Sequence, residues 1–374
     1  MATSTANVGR PNNNALLALM AVLAALGFYT MRITTAMNDI PVGFLETAAS
    51  GVFPNGVPIK KDYTSIHLVD EGLSFLVAAF LSGPMRWNEP YYWQQLYFLI
   101  QITALVTINN VEAYRQRNQN SWLKYISIWA FVYQNVGAAC IVTIWWLLLH
   151  RVSQPKAYFE SGRTIPLPYA RVILPGVFLF YVVPTVALFL PDQSADRVQK
   201  ILAFWQFTPI LTGIPMWLVS LSGTSTTVTA SNRNADVRHL KVLYALLFVL
   251  CVATHWYAIR GISLSTDPDV TYARVFLPST YTWKRNADWG LLFIFQWDWL
   301  IIGLMYIIPS WVAVCDVQRM RNGEATLENL FESFLVIAAL TGGGGPGATL
   351  AAVWFWREAA LADIEIASGA KKVQ

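Results

Sequence analysis

The stretch SIHLVDEGLSFLVAAF, residues 65–80, has the apolar character of a membrane helix yet carries Asp70 and Glu71 side by side. A charge at bilayer depth costs roughly 2.5–3.5 kcal/mol per residue even on the lenient insertion scale, so adjacent carboxyls there mark a functional site by default. Asp298 lies near the middle of another apolar run, and Glu112 at the end of a third. Function turns on whether these carboxyls share one pocket and what chemistry that pocket can do.

The surrounding composition sets the class. Of 374 residues, 55% are hydrophobic and 13% charged, and the mean hydropathy is +0.42. A soluble domain carries about 25% charged residues. The balance therefore specifies a polytopic membrane protein, a single transmembrane domain over 1–374 with polar tails at 1–14 and 366–374. The net charge of +4 is dispersed, with no basic block that could track phosphates, which argues against nucleic acid as a partner. Cys140, Cys251 and Cys315 fall singly in apolar runs, with neither metal-ligand spacing nor a disulfide framework. The run 15–29 has the length of a signal-peptide core. Its only basic flank is Arg10 and further spans follow, so a retained first span is expected.

Apolar runs long enough to cross about 30 Å of hydrocarbon occur at 15–34, 65–84, 91–110, 122–149, 168–190, 199–221, 239–259, 289–314 and 328–355. The expected fold is all-α, a membrane helix bundle of about eight or nine transmembrane helices. The last run is interrupted at Gly342-Gly343-Gly344-Gly345-Pro346-Gly347, as a kink or re-entrant turn buried in protein would be. This stretch nearly matches a phosphate loop, but Ala348 stands where the phosphate-binding Lys must be. No internal repeat or inverted-half symmetry is visible, which weighs against a secondary transporter. Lys and Arg divide too evenly between the two sides for the positive-inside rule to orient the chain.

In the run 65–84, His67, Asp70, Glu71 and Ser74 fall on one helical stripe. Two adjoining carboxyls repel each other, so one of them is expected to stay protonated near neutral pH. A protonated carboxyl in a dry pocket is a usable acid. A structural polar network is the plain alternative. In the run 91–110, Gln94, Gln101 and Glu112 project within about 20° of one another, and Asn109 within about 80° of Gln101. Glu112 is also close in sequence to Arg115 and Arg117, so a solvated ion pair competes with a functional role. Asp298 sits between Trp297 and Trp299 with no cation in its own helix. Those surroundings favour the neutral acid by desolvation. His255, among the few basic groups at membrane depth, is its alternative partner. Gln134 and Asn135, central in the run 122–149, could bind substrate or serve helix packing.

Trp145, Trp146, Trp205, Trp217, Trp256, Phe293 and Tyr306 join Trp297 and Trp299 inside spans. Packing or interface anchoring is the default for most, but a π-rich cavity beside an acid also suits a carbocation. Ring faces stabilise positive charge, and exclusion of water prevents early quenching. The chain carries no paired Asp-rich metal motifs, no Asp-x-Asp-Asp acid motif and no span-centred Lys. It also lacks a His-Glu-x-x-His helix and a Ser nucleophile motif. The chemistry expected is acid catalysis on an apolar substrate, with no metal and no cofactor.

With these features the sequence resembles the fungal integral-membrane terpene cyclases of meroterpenoid pathways, above all the ascochlorin/ascofuranone and macrophorin group. The likeness rests on length, span count, the Asp70-Glu71 helix, Trp87-Asn88-Glu89-Pro90-Tyr91-Tyr92-Trp93, Asn109-Asn110-Val111-Glu112 and Trp297-Asp298-Trp299. It implies protonation of a terminal epoxide or alkene on a farnesylated aromatic polyketide, followed by cyclisation, in the endoplasmic reticulum membrane. It implies intramembrane acids, placed here on Asp70, Glu71, Glu112 and Asp298, and no cofactor. The expected partners are a prenylated aromatic small molecule and the lipid bilayer. A sterol or prenyl double-bond isomerase would use the same parts, and a proton-coupled transporter or membrane receptor would use the carboxyls as a relay.

Overall fold

Glu89–Tyr114 organises the molecule. Asn88 caps this helix by accepting a hydrogen bond from the Tyr91 N–H at 3.0 Å, and Pro90 suits its first turn. Its 26 residues extend about 39 Å, enough to cross a bilayer, and they are buried along the whole membrane-length window. The computed structural model describes residues 9–373, with side chains to residue 369. The ends of the two expected polar tails, 1–8 and 374, lie outside the described residues, while residues 366–373 continue the last helix. Apart from one isolated bridge between Val52 and Pro58, the described residues form no strand.

The principal helices are α1 (Asn13–Met37), α2 (Phe44–Ser50), α3 (His67–Leu81), α4 (Glu89–Tyr114), α5 (Ile126–Val136), α6 (Ala138–Val152), α7 (Leu167–Leu188), α8 (Ala195–Trp205), α9 (Thr208–Leu221), α10 (Ala235–Leu264), α11 (Ala287–Asn322), α12 (Leu327–Gly344) and α13 (Pro346–Val373). Five of them, α1, α4, α7, α10 and α11, are long and apolar enough to cross a membrane, and α8 with α9 adds a sixth bent by 48°. The remaining three of the nine apolar runs are not continuous membrane-length helices. The run 65–84 yields only the 15 residues of α3. The run 122–149 is cut at Gly137, whose φ of 117° an L side chain rarely adopts. The run 328–355 is cut at Gly345, φ 87°.

Polar residues on α4 bind neighbouring helices. Gln94 Nε2 donates to the Phe295 carbonyl at 3.0 Å, and Gln101 Nε2 to the Cys251 carbonyl at 2.9 Å. Gln101 Oε1 also accepts from the Gly347 N–H at 2.8 Å, satisfying a donor at the start of α13 that the Gly345 break exposes. The C-terminal end of α4 enters a buried ion network. Glu112 pairs with Arg115 at 2.9 Å, Arg357 at 2.8 Å and Arg117 at 3.8 Å. Glu358 pairs with Arg115 at 2.7 Å and Arg163 at 2.5 Å. Arg163 continues to Asp236 at 2.8 Å and Glu365 at 4.0 Å. Four carboxylates thus face four guanidiniums, and no side chain among them is more than 6% exposed. Arg10, paired with Asp316, closes the same end.

The Gly-rich break is packed too closely for a side chain. A Cβ at Gly347 would lie 2.6 Å from Gln101 Oε1 and 2.7 Å from the Gln101 carbonyl, whereas one at Gly303 would meet open space. Gly347→Ala is expected to destabilise the fold by about 1–3 kcal/mol. Its melting temperature in detergent should fall while that of Gly303→Ala stays at the wild-type value.

Candidate active site

A cavity of about 840 Å³ opens beside α4, within the roughly 300–1,000 Å³ of small-molecule sites. Its interior comes from Phe80 on α3, Phe98, Leu99, Ile102 and Val106 on α4, Trp205 at the end of α8, and Leu291 and Phe295 on α11, with the exposed Phe75 of α3 nearer the opening. Tyr133 contributes from α5. Two further wall pieces, Met31-Arg32 and Tyr181, lie in π-turns within α1 and α7. Such wide turns re-aim side chains and recur at functional sites. The segment 39–46, leading into α2, lines the outer part, where Asp39 and Glu46 are exposed.

Asp298 is the carboxyl in the buried wall of this cavity, 9% exposed. Its Oδ1 accepts a 2.5 Å hydrogen bond from the N–H of Ala139. That N–H is free because α6 begins at Ala138, directly after the Gly137 break. A carboxyl at a helix N-terminus meets unpaired donors and the positive end of the helix dipole. Trp297 and Trp299 do not line the cavity. Neighbouring residues on a helix diverge by about 100°, so the two rings point elsewhere. Trp299 packs edge-on to Tyr97 and Phe98, and Trp297 lies against Phe293. The apolar setting of Asp298 comes instead from the side chains that α3, α4 and Phe295 bring to the cavity.

The structure separates the other acids from this place. His67, Asp70, Glu71 and Ser74 do share one hollow, but it is a distinct one of about 510 Å³ that they line with Lys61 and Asp62. Asp70 accepts from the Thr64 N–H and hydroxyl at 2.8 and 2.7 Å and from the Ser65 N–H at 3.1 Å. Burial opposes the charged form, but these hydrogen bonds outweigh it and hold the carboxyl below its ordinary range. Glu71 and His67 are exposed, 3.7 Å apart. These carboxyls therefore do not share the cavity of Asp298. In the first turn of α3, Asp70 ties down the preceding loop while His67 and Glu71 face outward.

Glu112 is held in the ion network, with Trp354 Nε1 donating to it at 3.0 Å. His255 does not pair with Asp298. Its Nδ1 lies 2.8 Å from the Tyr97 hydroxyl and its Nε2 3.2 Å from the Gly342 carbonyl. Gln101 is occupied by the helix break, and Asn109 is buried on α4 away from the cavity lining. Gln134 and Asn135 do line the cavity, with Gln134 Nε2 donating to Gln206 at 2.7 Å. Of the other aromatics, Trp205 reaches it. Trp145 and Trp146 are core, and Trp217 and Trp256 are exposed on the outer surface. Phe98, Tyr133, Tyr181, Phe295 and Arg32 carry no sequence signal that separates them from packing residues. Gly137, in the middle of an apolar run, is the mark that could have drawn attention to the break.

Residues 15–362 match the family model described as the CtvD domain. Terpene cyclase ascI of Acremonium egyptiacum is 24% identical over 376 residues, covering 94% of each chain. Terpene cyclase DEP1 of Fusarium langsethiae is 22% identical, covering 79% of this chain and 85% of its own. Terpene cyclase ctvD of Aspergillus terreus is 27% identical, covering 69% and 77%. No solved structure matches the chain. The chain belongs to the CtvD family of fungal terpene cyclases.

Removing one partner from a buried ion pair costs about 3–5 kcal/mol, because the remaining charge is left uncompensated. Glu112→Gln should therefore lower the yield of folded protein and its melting temperature. Turnover per folded molecule should stay within about twofold of wild type, because the loss is one of folding energy. Activity normalised to folded protein by size-exclusion chromatography measures this directly.

Proposed function

We propose that the cavity takes up the prenyl chain of a farnesylated aromatic polyketide and that Asp298 protonates its terminal epoxide or alkene, initiating cyclisation in meroterpenoid biosynthesis. The observation that carries this reading is the carboxyl of Asp298 in the buried wall of an aromatic cavity. The proton passes from the carboxyl to the epoxide oxygen and the C–O bond opens. The cation formed at carbon is then captured by the next double bond of the chain. Loss of a proton, or internal capture by an oxygen of the substrate, ends the sequence. Charge left on Asp298 faces the Ala139 N–H at the start of α6, a donor already in place before the proton departs. Faces of Phe and Tyr rings favour the passing cation, and the apolar inner walls, once filled by the chain, keep water from trapping it early.

A farnesyl tail partitions into hydrocarbon, so the substrate enters from the bilayer. Its polar head stays near Asp39 and Glu46, in the outer part of the lining. Length and composition support six crossings, the five long helices and the bent pair α8–α9. α12 and α13 turn back at Gly345 beside Gln101, midway along α4, and form a re-entrant pair. On this reading α5 and α6 form a re-entrant pair, α3 stays at one surface, and the protein resides in the endoplasmic reticulum membrane.

Asp298→Asn should fold normally and lose about 10²–10⁴ in turnover, the range of a positioned general acid. Microsomes expressing the chain, fed farnesylated phenols with and without the terminal epoxide, supply the assay, and product NMR reads the outcome. A new ring identifies cyclisation, a shifted double bond identifies an isomerase, and wild-type turnover by Asp298→Asn removes that residue as the acid. Val106→Phe, which adds a ring inside the cavity, should raise KM and change the ratio of cyclised products while leaving the melting temperature within a few degrees of wild type.

A further inference from the structure

We infer that Arg32 is a positioning residue for Asp298, acting through the helix break at Gly137. The inference rests on the reading of Asp298 as the acid. At Gly137 two helices meet end to end, α5 finishing at Val136 and α6 starting at Ala138. A break of this kind leaves carbonyls unpaired on one side and N–H groups unpaired on the other. The two ends are satisfied by opposite charges from two other helices.

Arg32, in the π-turn of α1, donates from Nε to the Val136 carbonyl at 3.2 Å. Its Nη2 donates to the same carbonyl at 2.9 Å and to the Asn135 carbonyl at 3.3 Å. Asp298, on α11, accepts from the Ala139 N–H at 2.5 Å. A cation thus sits at the negative end of α5 and a carboxyl at the positive end of α6, each complementing its helix dipole. Met31, in the same π-turn, packs on the break itself. A Cβ at Gly137 would lie 2.9 Å from its Cε. The turn that aims Arg32 therefore also seats the glycine.

This arrangement couples the two residues without contact between them. The guanidinium fixes where α5 stops, Gly137 turns the chain, and the first N–H groups of α6 are thereby aimed at the Asp298 carboxyl. If α5 unwinds at its end, the Ala139 N–H shifts and the acid loses its orientation toward the cavity. Misplacement of a catalytic group by about 1 Å costs up to roughly a hundredfold in rate. The fork geometry matters as well as the charge, because an ammonium is a point donor and cannot span two carbonyls in a fixed plane. Arg32 is exposed at the outer part of the cavity, so a small cation from solution can reach its position.

The test uses full-length protein in microsomes with Arg32→Ala, Arg32→Lys and Asp298→Asn, each assayed per folded molecule. The expected result for Arg32→Ala is a fall in kcat of about ten- to a hundredfold with KM nearly unchanged. Added guanidinium should restore kcat, and added ammonium should not. Arg32→Lys should fall between wild type and Arg32→Ala, and it supplies the reading if the alanine variant folds poorly. Wild-type kcat in either Arg32 variant overturns the inference, as does a loss in Arg32→Ala that guanidinium leaves untouched. Full turnover by Asp298→Asn instead overturns the assignment of the acid. Inactive Asp298→Asn beside fully active Arg32 variants leaves the acid standing and removes only the role of Arg32.

Discussion

Polar side chains on a helix buried on every side gain by bonding to the helices around it, because no solvent is there to do it. α4 is such a helix, and it ties its neighbours to itself. It carries Gln94, Gln101 and Glu112, all fully buried, and each of them reaches a partner on another helix. Gln94 requires the Phe295 carbonyl of α11, and Gln101 requires both α10 and the start of α13. Glu112 requires arginines from its own C-terminal end and from α13. The helices around α4 are thereby set in register by polar partners, while their apolar faces fill the space between. Buried ion pairs contribute little net stability against well-packed apolar residues. What this network supplies is a penalty on every arrangement in which α10, α13 or the loop at Arg163 is displaced.

The cavity is the place where this packing is left incomplete. α3 is too short to cross, α5 and α6 break at Gly137, and the π-turns of α1 and α7 widen two neighbouring walls. Residues at each of these irregularities line the cavity. The resulting space is lined chiefly by Phe, Tyr, Leu and Ile. One carboxyl in its buried wall, Asp298, accepts from an N–H that exists only because a helix begins beside it. Broken helices in membrane proteins generate unpaired backbone groups that must line a cavity or find a partner. Here the break provides the partner for the acid, and the acid satisfies the break.

Much of the fold was legible from periodicity and hydropathy, since a membrane helix announces itself by length and composition. Five of the nine apolar runs became continuous membrane-length helices. The run 65–84 read as a span because its apolar residues are contiguous, yet the hydrogen bonds from Thr64 and Ser65 to Asp70 mark its first turn as a helix start outside the cavity. Asp70 and Glu71 stood out because they interrupt an apolar run, but they lie at the start of a helix of 15 residues, apart from the cavity of Asp298. Asp298 lies inside a helix long and apolar enough to cross a membrane. The flanking tryptophans that made it conspicuous point away, and side chains far off in sequence supply its surroundings.

By itself the sequence determined the class, an all-helical chain with several helices apolar and long enough to cross a membrane and with acidic residues inside apolar runs. Hydropathy and charge cost are properties of each residue in its solvent and need no partner to be read. It also carried the family resemblance, which the CtvD match over 15–362 bears out. Only the tertiary structure decided which carboxyl meets a cavity, which joins an ion network and which caps a loop. Those outcomes depend on contacts between residues as far apart as Asp298 and Ala139, or Glu112 and Arg357. Helical spacing shows which residues share a face of one helix, but it carries no information about which other helix that face will meet.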